Sequence, residues 1–159
     1  MKLDKKLQKK IDAEIKNIER LFCESKPLFD LCKVKTPDFI EASAVSLTLH
    51  SFYNGIENIL LLIGKSIDEN IPHGQEWHTT LFNNAFMANS NRTNIFREEI
   101  KMELREYLTF RHFIRHAYNY TIDNVKLKPL VENVESVWIK IKEDLNIFYE
   151  KNQYETQIY

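Results

Sequence analysis

Between Leu104 and Tyr120 the chain reads LREYLTFRHFIRHAYNY, and eight consecutive residues of it hold Arg111, His112, Arg115, His116 and Tyr118. Two of the five histidines lie here. An imidazole near its ordinary pKa can take or give a proton around neutral pH. A guanidinium stays charged and offers a fixed fork to phosphate oxygens. These residue types suit RNA cleavage. A base removes the 2′-hydroxyl proton, the oxygen attacks the adjacent phosphate, an acid protonates the leaving 5′-oxygen, and cations hold the extra charge. That route requires no metal and no cofactor. One Arg–His pair supplies only half of the acid–base couple, and a two-fold dimer apposing two copies of the segment would supply the rest.

Other chemistry fits less well. His112 and His116 have the four-residue spacing of zinc-binding helices, but the H-E-x-x-H acid is missing and Arg111 and Arg115 would repel a cation. Nucleophilic catalysis lacks a nearby Ser or Cys and a glycine-rich elbow. The bland alternative stays open: Arg and His near the end of an amphipathic helix complement its negative C-terminal dipole.

The elements that must position this segment are helices. Leu3, Leu7, Ile11, Ile15, Ile18 and Phe22 recur at helical steps, with Pro27 expected to end or kink that helix. The run Lys5-Lys6 and Lys9-Lys10 reads as its solvated face. Thr36-Pro37-Asp38 reads as a helix start, with Thr36 capping and Pro37 at the first helical position. From about 38 to 69, Val45, Leu49, Phe52, Ile56, Ile59, Ile63 and Ile67 keep one seam toward a partner helix. Gly55 and Gly64 inside it suggest close approach of another backbone. Residues 69–74 are a loop, and a short helix from Glu76 to Met87 turns Trp77, Leu81, Phe82 and Ala85 inward.

After a polar connection, Thr93 or Asn94 can cap the helix that carries the Arg–His segment. At about 100° per residue, Phe96, Ile100, Tyr107, Phe110, Ile114 and Tyr118 form its core stripe. Arg97, Lys101, Arg105, His112, Arg115 and His116 share a neighbouring sector, and Arg111 lies on the border. Asp123 caps a turn, Pro129 starts or kinks a last helix, and Leu130, Val134, Val137, Trp138, Ile141, Leu145 and Phe148 face inward. The expected fold is all-α: an antiparallel bundle of four main helices and one short helix. Residues 1–151 form one domain, and 152–159 a frayed tail.

Composition agrees. The 159 residues are 43% hydrophobic and 28% charged, with three glycines and four prolines, which favours long helices over many short strands. A net charge of −1 gives no bulk attraction to nucleic acid or an anionic membrane, so an anionic ligand must be drawn by a local patch. Cys23 and Cys32 make no C-x-x-C and read as free thiols of a reducing compartment. The Lys-rich N-terminus lacks the apolar block of a signal peptide, and no apolar run approaches the roughly 20 residues of a membrane span. The expectation is a cytoplasmic protein with no membrane partner.

Arg111 to Tyr118, RHFIRHAY, matches R-x-x-x-x-H-x-Y and resembles the signature of HEPN-domain ribonucleases of the HepT-like toxin family. Three further blocks resemble that family in order and spacing: Leu49 to Glu57, Ile71 to His78, and Asp123 to Glu132. The resemblance implies a helical bundle that dimerises and builds a metal-independent RNA-cleaving site from paired motifs. By position, Arg111 and His116 are its catalytic pair, and His112 would orient the site or the RNA. Arg115, Arg105 and Lys101 are candidate supporting or RNA-binding residues. Tyr118 matches the tyrosine that a nucleotidyltransferase antitoxin modifies with AMP to silence such a toxin. Many relatives look degenerate at the histidine; His116 is kept here, which favours an active enzyme. Glu57 and His78 are suspected near the site, though both could be structural polar residues.

The leading reading is a toxin ribonuclease restrained by a cognate nucleotidyltransferase. A non-catalytic helical module that binds such a transferase is the alternative. A nucleotide-holding helper of the transferase is a weaker third.

Overall fold

The computed structural model describes residues 3–116 and 123–152, and these form an antiparallel bundle of helices. The elements are α1 (Lys5–Val34), α2 (Phe39–Ile63), the short α3 (Trp77–Ala85), α4 (Lys101–His116) and α5 (Asn124–Asn152). Four long helices and one short one are what the apolar periodicity predicts. Tyr118 and residues 153–159 lie outside the described residues.

The central helix is α2, which packs against each of the other four. Its mean hydropathy is the highest of the five; six of the seven expected seam residues lie on it and are buried, and the seventh, Ile67, is buried just beyond its end. Gly55 explains how closely α1 approaches: a Cβ there would lie 2.7 Å from Cγ1 of Ile18. The close neighbour is thus a side chain of α1 rather than its backbone. Phe52 of α2 meets Phe22 of α1, Tyr107 of α4 and Trp138 of α5 in one edge-on aromatic cluster. Ring contacts of this kind add to the large apolar area each aromatic buries. The Tyr107 hydroxyl stays satisfied by donating to the Leu130 carbonyl at 2.8 Å.

Several boundaries differ from the expected ones. The first helix runs through Pro27 to Val34. Pro27 and Cys23 are both exposed, so water can replace the one hydrogen bond the proline removes, and Phe29 beyond it is buried. Helix α2 is capped by Asp38, not Thr36. The Asp38 carboxylate accepts from the Glu41 N–H at 2.8 Å while Glu41 accepts from the Asp38 N–H at 2.9 Å, a reciprocal capping box. The end of α2 widens into a π-turn over Gly64–Asp68 that closes on Glu69, whose φ of 52° is left-handed. The Asn70 carbonyl passes 3.2 Å from where a Gly64 Cβ would stand, so this glycine does admit neighbouring backbone.

Neither Thr93 nor Asn94 caps the helix that follows. Ile95 and Phe96 instead donate to the Ala85 carbonyl, and a 3-10 turn at Glu98–Ile100 leads into α4. Phe96 is still fully buried, but from the connection rather than from the helix. Buried Arg92 fixes this connection. It forks onto Asp68 of the π-turn and donates to the carbonyls of Asn84, Met87 and Thr93. Helix α5 begins five residues before Pro129, where Asp123 accepts from the Val125 N–H at 2.9 Å. Its seven expected inward residues are all buried.

Candidate active site

The cationic sector of α4 faces α3. Lys101 sits over the Phe86 ring, Arg105 over Phe82, and Arg115 reaches His78. The two helices therefore run past each other in opposite directions, with α3 residues at successive turns meeting α4 residues in reverse order. Cations on aromatic faces are held by the ring quadrupole while their charge stays near solvent. Arg97 departs from this strip. It precedes the helix, and its guanidinium pairs with Glu143 and the fully buried Asp144 of α5, so it serves the fold.

Arg111 is the buried member, at 6% exposure. Its Nε lies 2.7 Å from Oε1 of Glu57 and donates to Oδ1 of Asn54 at 3.1 Å, both from α2. Among the described residues its Nη1 is buried without an acceptor. Glu57, itself 3% exposed, uses its second oxygen on His78, with Oε2 at 2.5 Å from Nδ1. Three elements thus converge on one carboxylate: α2 supplies it, α4 the guanidinium, and α3 the imidazole. A buried charge is tolerated when it is paired and hydrogen-bonded on all sides, and Glu57 meets that condition.

Around this core stand two more imidazoles. His112 lies edge-on to His78, with ring centroids 5.9 Å apart. Burial, then the proximity of His78 and Arg111, lowers the His112 pKa below its ordinary value. His50 sits beside Asn54 at 3.3 Å, and burial followed by Arg111 lowers its pKa too. Both rings are therefore neutral at pH 7, and the fixed positive charge of the cluster rests on Arg111 and Arg115. Tyr53, fully buried one turn before Glu57, has its phenol pushed above the ordinary range by burial and then by Glu57, so it keeps its proton.

The sequence-derived candidates divide accordingly. Arg111, His112 and Arg115 come together with Glu57, His78, Asn54 and His50. His116 ends α4 at the exposed edge of the same helix. Arg105 and Lys101 continue the strip away from the cluster, and Lys101 also pairs with Glu98 at 3.2 Å. The suspected placement of Glu57 and His78 is what the structure shows, while Asn54 and His50 are additions. Their common signal was the block Leu49 to Glu57, where His50, Asn54 and Glu57 share one face at steps of four and three. Among the described residues no group of three His, Cys, Asp or Glu side chains is placed to hold a metal ion.

The described residues thus form a helical bundle whose fourth helix carries the R-x-x-x-x-H motif, with Arg111 of that motif paired to the buried Glu57. The chain belongs to the HepT-like family: the family model described as HepT-like protein matches residues 44–152. That span takes in α2 from its second turn onward and every element of the cluster. Comparison with curated proteins and with solved structures returned no match.

Proposed function

We propose that this protein is a metal-independent endoribonuclease, the toxin of a pair whose antitoxin is a nucleotidyltransferase. The observation that carries the reading is Arg111: a buried guanidinium on the motif helix, fixed through Nε and, among the described residues, one acceptor short at Nη1. A phosphate oxygen is the acceptor that chemistry would bring to it. Fixing the cation beforehand removes reorganisation from the moment of reaction, which is how such groups stabilise developing charge.

In this reading Arg111 holds the phosphate under attack and His116, at the open end of α4, moves the proton. The second acid or base comes from His116 of another copy, so the working unit is a homodimer with RNA across it. Arg115 and neutral His112 line the approach. Tyr118, two residues beyond His116, is the site at which the partner attaches AMP. A bulky anion added beside the motif would compete with the RNA phosphate for the arginines.

The test is cleavage of single-stranded RNA by purified protein with chelator present. Wild type should cut, and Arg111→Ala and His116→Ala should each lose at least about a hundredfold in rate, the usual scale of general acid–base and charge-stabilising groups. Equal cutting by all three proteins would reject the assignment. Unaltered partner binding by both variants, without cleavage by wild type, would point to the non-catalytic module.

A further inference from the structure

Arg115 is exposed on the last turn of α4, yet one end of it is held. Its Nη1 lies 3.4 Å from Nε2 of His78. A guanidinium cannot accept a hydrogen bond, so His78 Nε2 must be the acceptor and the ring proton must sit on Nδ1. There it faces Glu57 Oε2, as noted above, and the charged carboxylate fixes that tautomer, as a carboxylate does for a histidine whose far nitrogen is in use. Trp77 lies against the ring at a centroid distance of 3.5 Å and closes one side. His78 is 5% exposed and cannot turn its lone pair elsewhere.

The same carboxylate holds Arg111 through its other oxygen. Arg111 and Arg115 are four residues apart, one turn along the same face of α4. One carboxylate therefore orients two arginines, the first directly and the second through an imidazole. We infer that Glu57 and His78 are positioning residues that set Arg111 and Arg115 as a two-arginine clamp for the RNA phosphodiester backbone. The inference rests on the ribonuclease reading for its ligand but assigns work to residues outside the R-x-x-x-x-H motif. Without the His78 contact, Arg115 is one long exposed side chain among many rotamers. With it, the fork is held ready, and binding forfeits less side-chain entropy.

The experiment separates clamp from nuclease by using RNA that cannot be cut. Fluorescence anisotropy with a fully 2′-O-methylated oligonucleotide would be measured for wild type, Arg115→Ala, His78→Gln and the double variant. Arg115→Ala should weaken binding about tenfold, a phosphate contact's worth. His78→Gln should weaken it severalfold, and the double variant should bind no worse than Arg115→Ala alone. Two factors that multiply, full binding by His78→Gln, or no binding by wild type would each overturn the clamp. None of these outcomes depends on whether His116→Ala abolishes cleavage, which decides the nuclease reading by itself.

Should His78→Gln fail to fold, nitrogen-15 NMR of histidine-labelled wild type and Arg115→Ala answers the same question. His78 Nε2 should be unprotonated in wild type at neutral pH and should shift when Arg115 is removed. A protonated or unmoved Nε2 would contradict the clamp.

Discussion

At the scale of single residues, the cluster under α4 puts uncharged imidazoles beside fixed cations. His50 and His112 both have lowered pKa values, mainly through burial. The unfolded chain then binds protons before the native state does. Their contribution to stability is complete above the ordinary imidazole value of about 6.5 and is lost as pH falls from there through the lower native values. Urea unfolding at pH 7.5 and pH 5.5 should show a loss of stability on acidification that is smaller in His50→Gln. An unchanged pH slope in that variant would show that His50 titrates normally. The motif itself was legible because its residues are neighbours in sequence. Glu57 and His78 were harder to place, since they stand 21 residues apart and meet only when α2, α3 and α4 pack. Arg97 shows the opposite error. Sequence spacing grouped it with the basic strip, but the helix starts later, and a buried aspartate 47 residues away claims its guanidinium.

At the scale of elements, the apolar stripes were the legible part. Every α2 seam residue and every inward α5 residue was fixed by helical period, and burial follows that period. Proline and capping positions were less legible, because a buried face beyond the proline can outweigh one missing hydrogen bond. Phe29 does this for α1, and Leu130, Val131 and Val134 for α5. The path from α3 to α4 depends on Arg92 and its long-range partner Asp68, a pairing no local pattern announces. Gly55 gives a direct test of how α1 seats on α2. Alanine gains helix propensity there, but its Cβ would fall within 2.8 Å of both outer carbons of Ile18, a side chain with only 2% exposure. Overpacking should win, and Gly55→Ala should lower stability by about 1–3 kcal/mol in chemical unfolding. A more stable variant would mean that Ile18 has room to move.

At the scale of the whole molecule, the bundle seats the motif helix α4 against α2 and α5. The aromatic cluster of Phe22, Phe52, Tyr107 and Trp138 ties α1, α2, α4 and α5 together at its centre. The buried ion pair of Glu57 and Arg111 then sets the rotation of α4 about its own axis. Among the described residues no helix is long and apolar enough to cross a membrane. In the ribonuclease reading, RNA is drawn to the cationic strip of α4 that faces α3. The central claim is that this strip cleaves RNA by attack of the 2′-hydroxyl. The most direct measurement is the end group left on the 5′ fragment when wild-type protein and His116→Ala are incubated with a defined RNA in excess chelator. The expected result is a 2′,3′-cyclic phosphate from wild type and intact RNA with His116→Ala; a 3′-hydroxyl end, or the same fragments from both proteins, would contradict it.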